Sequence, residues 1–178
     1  QFDNTWNVMA HVKTTAPELE KTLQDNNLGV LDAFITGMGT GGTVMGFHHY
    51  FSQKKDDFKA FPILPDKNED GEHRIEGIGD SFIPKIVDLQ ALSPVLRVND
   101  SDAINIARQI NKLGLSVGIS SGANVFGAIL KANESQETIN IATILCDDNK
   151  KYLSTDLCSP KEESLSRKIK ILNYELIS

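Results

Sequence analysis

The run Gly37-Met38-Gly39-Thr40-Gly41-Gly42-Thr43 holds the densest potential for chemistry in the chain. Its glycines remove the side chains that would keep a ligand away from main-chain N–H groups, and Thr40 and Thr43 add hydroxyl donors. Such a donor set suits the several oxygens of a phosphate dianion. The reading without a ligand is a tight glycine turn, but the unbroken Gly-Thr-Gly-Gly-Thr from Gly39 to Thr43 favours the anion. The same stretch also meets a G-x-G-x-x-G spacing through Gly37, Gly39 and Gly42, and Asp66 follows the next apolar run where a ribose-binding carboxylate could sit. Against a dinucleotide, the chain does not begin with this unit, and the two threonines suit a terminal phosphate better than a pyrophosphate bridge. By spacing alone the two readings stand level.

Other candidates carry less. His48 and His49 are adjacent, so on a helix they point about 100° apart, poor geometry for one metal; one is expected half-buried and the other solvated. Asp66 to Gly71 imitates the first half of a calcium loop, but the twelfth position is Gly77 instead of a bidentate glutamate. Cys146 follows an apolar run with no base beside it and reads as a packed small hydrophobe.

The elements that must position the glycine run follow from periodicity. After an irregular opening, Thr15-Ala16-Pro17-Glu18 reads as a capping box for a helix to about Asn26. Val30 to Ile35 is a buried strand, Thr43 to about Gln53 a helix, and Phe58 to Leu64 a strand that Pro65 stops. A polar loop over residues 66–76 precedes a strand near Val95 to Val98 and a helix capped by Asn99 or Ser101 that ends at Gly114. A brief strand Ser116–Ile119, a helix from Ser120-Ser121-Gly122 to about Ala132, and a strand Ile139–Leu145 complete the pattern. The alternation predicts an α/β fold, a parallel sheet flanked by helices. Residues 1–158 form the α/β domain and 159–178 a C-terminal tail.

The totals bound the function. The 178 residues carry 18 basic and 24 acidic side chains, a formal net charge of -6 that argues against nucleic acid as a partner. The apolar run Ile141–Cys146 falls far short of the roughly 20 residues a membrane helix needs. Two cysteines do not make a secreted disulfide scaffold, so a reducing, cytoplasmic setting is expected. The first residue is Gln1, not methionine, as in a chain cut from something longer.

Separated segments together resemble the cysteine synthase and cystathionine β-synthase family, pyridoxal-phosphate enzymes of the tryptophan-synthase-like fold. Gln1-Phe2-Asp3-Asn4 with His11 and Thr14-Thr15-Ala16-Pro17-Glu18 is similar to the family's QFxN…H…TTGPE, and Gly39 to Thr43 matches its GTGGT loop. Gly77-Ile78-Gly79-Asp80-Ser81-Phe82-Ile83-Pro84 is similar to GIGAGFIP, Gly118 to Ala123 equals GISSGA, and Tyr152-Leu153-Ser154-Thr155 looks like YLST. The GISSGA form is closer to cysteine synthase, that is, O-acetylserine sulfhydrylase.

The resemblance implies that this chain is the C-terminal part of a two-domain enzyme. Gly39, Thr40, Gly41, Gly42 and Thr43 would hold the phosphate of pyridoxal 5'-phosphate, and Ser120 would meet its pyridine nitrogen. Gln1 and Gly77 would bind substrate. The family's Schiff-base lysine lies upstream of the position matching Gln1, so this chain alone is expected to be inactive. The implied reaction is formation of L-cysteine from O-acetylserine and sulfide. Alternatives are cystathionine formation from serine and homocysteine, a catalytically silent homologue that binds a partner, and the dinucleotide-dependent dehydrogenase above. A homodimer and a complex with a serine acetyltransferase are the implied assemblies, with apolar surface exposed or covered by a second copy. Asn4-Thr5-Trp6-Asn7 in place of NPAN, Ala16 in place of glycine, and Asp80-Ser81 in place of Ala-Gly depart from the pattern. The last adds a carboxylate at the mouth of the site and bears on substrate identity.

Overall fold

The computed structural model describes residues 1–66, 71–79, 82–159 and 168–175. Among them, strands β1 (Ala33–Gly37), β2 (Lys59–Pro65), β3 (Leu96–Val98) and β4 (Ile141–Thr143) form one sheet in the order β3-β2-β1-β4. Every pairing is parallel, with Ile35 opposite Phe61 on one side and Thr143 on the other. Helices α1 (Thr5–Lys13), α2 (Thr15–Asp25) and α3 (Gly42–Phe51) cover one face, and α4 (Asp100–Lys112) and α5 (Ile119–Glu134) the other.

The strand period of two sorts the core. Ala33 and Ile35 point to the α4–α5 side, with Ile63, Val98, Ile104 and Phe126, whereas Phe34 points to the α1–α3 side with Val44, Phe47 and Phe51. Phe34 stacks on Phe47 with ring centroids 3.6 Å apart. Fully burying a side chain of this size contributes about 1.5–3 kcal/mol. No helix among the described residues is long and apolar enough to cross a membrane.

The parallel sheet and its flanking helices are as the sequence predicts; several local readings are not. The opening is helical from Thr5, because Asn4 accepts a hydrogen bond from the Trp6 N–H at 3.0 Å and so caps α1. Thr15 is no cap: it lies inside α2, Thr14 takes the cap position without a side-chain bond, and the Thr15 hydroxyl faces His11 instead. β1 begins three residues later than Val30, which is 60% exposed. The expected strand Ser116–Ile119 is absent. There the Asn111 side chain accepts from the Val117 N–H at 2.9 Å and donates to the Val117 carbonyl at 3.0 Å, so one amide does what a neighbouring strand would. Asn99 does cap α4, accepting from the Asp102 N–H at 2.8 Å, and Gly114 follows α4 with φ +100°. The described part of the tail lies along α4, where Gln109 donates to the Ile169 carbonyl and accepts from the Ile171 N–H. The calcium-like stretch lies mostly outside the described residues, as do Asp80 and Ser81. Large apolar side chains at the surface include Phe82, Ile83, Leu145 and Leu153.

Candidate functional site

β1 ends at Gly37 and α3 begins at Gly42, so the glycine run bridges the C-terminal end of a central strand and the positive end of a helix. Gly41 sits at φ +83°, in the left-handed region, and a Cβ there would also meet Val87 Cγ2 at 2.0 Å. A Cβ on Gly39 would meet the Gly77 carbonyl oxygen at 2.4 Å. The Gly42 N–H turns inward to Thr40 Oγ1 at 3.3 Å. The N–H groups of Gly39, Thr40, Gly41 and Thr43 find no acceptor among the described residues. Free donors and a helix dipole converge there, the arrangement that receives an anion.

Two clefts flank the run. One, of about 250 Å³, is lined by Thr36, Gly37, Thr43, Ile144 and Cys146 among others; the second, of about 390 Å³, by Gln1, Phe2, His73 and Gly79. Gly39, Thr40, Gly77 and Ile78 wall both. The structure therefore puts Gln1 with Gly39, Thr40 and Gly77 around the larger cleft, although Gln1 and Gly77 lie far apart in the chain, and Gly41 and Thr43 with the same three shared residues around the smaller. Gly77 has φ +81° and open space where a Cβ would be. Gly42 is buried beneath Asn7 and lines neither cleft. Ser120 is buried in the first turn of α5 close to Cys146, which lines the smaller cleft, but lines neither cleft itself. Neither Ser120 nor Ser121 is the helix cap; Gly118 holds that position, and Ser121 Oγ accepts from the Cys146 N–H at 2.9 Å.

Cys146 corrects its reading as a packed hydrophobe. It lies beyond β4, is partly exposed and lines the cleft. Its sulfur is nevertheless lodged beside Asn124 and the Ile144 carbonyl, and burial pushes the thiol above its ordinary range. That makes it a poor nucleophile at neutral pH. His48 is half-buried and held below the usual histidine range by burial, then by His49, while His49 is solvated.

Sequence reasoning passed over Asn7 and Asn124. Asn7 Nδ2 donates to Thr40 Oγ1 at 2.8 Å, and His11 Nε2 lies 3.1 Å from Thr43 Oγ1. Asn124, fully buried, accepts from the Gly37 N–H at 2.7 Å and donates to the Ile144 carbonyl at 2.8 Å. An asparagine set between Ala123 and Val125 on a helix that runs on as Val-Phe-Gly-Ala-Ile-Leu was the available signal, since such an amide must be satisfied somewhere.

A larger hollow of about 470 Å³ lies past His73, among Asp66, Glu72, Arg74, Asn99, Asp100 and Ser101. Among the described residues its carboxylates outnumber its one arginine, so it is less suited to an anion. Asp66 belongs to this hollow and not to the clefts beside the glycine run, which removes the geometry a dinucleotide ribose would need. Among the described residues no lysine lines either cleft. Nor does any group of three or more His, Cys, Asp or Glu there suit a metal ion.

Comparison with known proteins agrees with this geometry. The chain is 42% identical over 163 residues to cysteine synthase B of Campylobacter jejuni, covering 88% of this chain and 53% of that protein. It spans about half the length of the curated relatives it matches. Among solved structures, a hydrogen sulfide-producing enzyme from Fusobacterium nucleatum superposes with TM-score 0.85 at 40% identity, over 92% of this chain and 51% of that one. O-acetyl serine sulfhydrylase isoform 3 from Entamoeba histolytica gives 0.80 at 32%, over 93% and 50%. The family described as pyridoxal-phosphate dependent enzyme matches residues 1–147, which include the glycine run, both clefts and Ser120. By that match, and by its likeness to cysteine synthases over most of its length, the chain belongs to the pyridoxal-phosphate dependent enzymes of the cysteine synthase type.

Proposed function

We propose that this chain supplies the phosphate-binding part of a cysteine synthase that forms L-cysteine from O-acetylserine and sulfide. The observation that carries the reading is the run from Gly39 to Thr43, whose unspent N–H groups and two threonine hydroxyls open on a cleft at the end of β1. The residues fit the cofactor: glycine at 39 and 41 lets the loop lie against the Gly77 carbonyl and Val87, where a Cβ would clash, and the donors of the run match the phosphate of pyridoxal 5'-phosphate. When bound, that group supplies an electron sink which eases loss of a leaving group from the β carbon of an amino acid.

The chain's own residues would divide the remaining work. Gly39, Thr40, Gly41 and Thr43 hold the phosphate, with Gly42 shaping the loop from inside. The Ser120 hydroxyl, in the first turn of α5, would meet the pyridine nitrogen. A neutral hydroxyl is no counter-ion for a pyridinium, so it would favour an uncharged ring. Gln1 presents amide donors to the substrate carboxylate, and Gly77 lets the main chain approach the substrate in the larger cleft. The lysine that carries the cofactor would come from the remainder of the protein, and the chain by itself would be inactive.

The test uses the full-length protein with pyridoxal 5'-phosphate. Cysteine formation from O-acetylserine and sulfide is the expected main activity, with cystathionine formation from serine and homocysteine slower. A holoenzyme that makes no cysteine overturns the reading. A second reading is sulfide release from cysteine, supported by the 40% identity to the hydrogen sulfide-producing enzyme. Sulfide evolution from cysteine that outpaces cysteine synthesis would decide for it.

A further inference from the structure

Beside Val8, the face of α1 that meets α3 carries polar side chains where a helix contact is ordinarily apolar. A Cβ on Gly42 would meet Asn7 Oδ1 at 2.1 Å, and one on Gly46 would meet His11 Cβ at 2.5 Å and the Val8 carbonyl oxygen at 3.0 Å. Two glycines one turn apart thus receive two polar side chains one turn apart. Each of those side chains ends on one of the loop threonines.

A count of protons gives these contacts a direction. A threonine hydroxyl has one proton and two lone pairs. Thr40 Oγ1 accepts from Asn7 Nδ2 at 2.8 Å and from the Gly42 N–H at 3.3 Å. Both lone pairs are engaged, so its proton is left for whatever occupies the cleft. At the second threonine the count runs through His11. Thr14 spends its proton on the Ala10 carbonyl at 2.8 Å. Thr15 keeps its own for His11 Nδ1 at 3.0 Å, nearer than the Thr14 oxygen at 3.5 Å. With Nδ1 accepting, the neutral ring carries its proton on Nε2 and donates it to Thr43 Oγ1 at 3.1 Å. The Thr43 proton is then also left for the cleft. Burial, which holds His11 below the usual histidine range, agrees with a neutral ring.

We propose that Asn7 and His11 are positioning residues that aim the hydroxyl protons of Thr40 and Thr43 into the cleft, so that both threonines act as donors to a phosphate dianion. The proposal rests on the phosphate-binding reading above and adds to it the helix that sets the polarity of the site. Thr15, through His11 Nδ1, is its outermost member.

The test compares binding of pyridoxal 5'-phosphate and of pyridoxal, which lacks the phosphate, to full-length apoprotein by absorbance titration. Asn7→Asp keeps the shape but can only accept, so the Thr40 proton turns toward it; His11→Ala removes the donor to Thr43. Each variant is expected to weaken pyridoxal 5'-phosphate about tenfold or more while leaving pyridoxal within about twofold. In a Thr43→Val background, His11→Ala should cost almost nothing further, and His11→Gln, which retains a donor, should recover part of the loss. Equal weakening of both ligands, or additive losses with Thr43→Val, would overturn the proposal. If the unaltered protein binds the two ligands equally, the phosphate-binding reading itself fails. Should Asn7→Asp not fold, the His11→Ala and Thr43→Val cycle decides alone.

Discussion

Two helix contacts in this molecule are both made by glycine, and they serve opposite ends. Where α5 meets α4, a Cβ on Gly122 would lie 2.0 Å from the Ala103 carbonyl oxygen and 2.9 Å from Ala107, so the approach is backbone against backbone and the surroundings are apolar. Where α3 meets α1, the space over Gly42 holds the tip of Asn7, and the groups around it continue as hydrogen bonds to the loop that faces the cleft. One contact closes the core, while the other positions donors. Close packing therefore does not by itself tell a structural face from a functional one; what fills the gap left by the missing side chain does.

The comparison makes graded predictions. Gly122→Ala should be the most damaging, about 3 kcal/mol of stability by urea unfolding, because rigid backbone has to move. A loss under about 1 kcal/mol would break the contrast. Asn124→Ala should follow at about 2 kcal/mol, since it strands the Gly37 N–H and the Ile144 carbonyl in a buried setting. Unlike Gly122→Ala, it should also distort the cleft, seen as weaker cofactor binding. Gly42→Ala should cost only about 1 kcal/mol, as the Asn7 tip can swing aside, yet it should lower affinity for pyridoxal 5'-phosphate by about tenfold, because the link to Thr40 goes with it.

The smallest effect is one of pH. Burial holds His11 below its ordinary range, so the folded state prefers the neutral ring. As pH falls through the unfolded value of about 6.5, the unfolded chain takes up its proton first. The stability that His11 contributes is complete above that value and is lost on acidification until the lowered folded value is passed. Thermal melts of the unaltered protein and His11→Gln should converge across that interval. His48 is shifted in the same direction in both proteins, so their difference isolates His11.

The glycine contacts also mark what could be read from the sequence. The loop was legible because Gly39 to Thr43 concentrates residues that rarely cluster and follows an apolar run, and the sheet was legible because β1 and β2 are buried on both faces. α1 was not, since it buries only Val8 and lays Asn7 and His11 over the glycines of α3. Polar side chains lying over glycines leave no apolar period to find. The missing strand at Ser116–Ile119 fails for a related reason: Val117 and Ile119 have strand character, but the group that satisfies Val117 comes from a side chain of the preceding helix, which local pattern does not register. Similarity to the family supplied what periodicity could not, namely that Gln1, Gly77 and Gly39 belong around one space.

Asn124 ties the tip of β1 to the segment just beyond β4 through a single carboxamide, and Gly37 and Ile144, which it joins, end neighbouring strands and both line the smaller cleft. The two strand ends are thereby clamped together. A guest that presses on one should move the other with it, so this side of the pocket should yield as a unit and resist fraying between the strands.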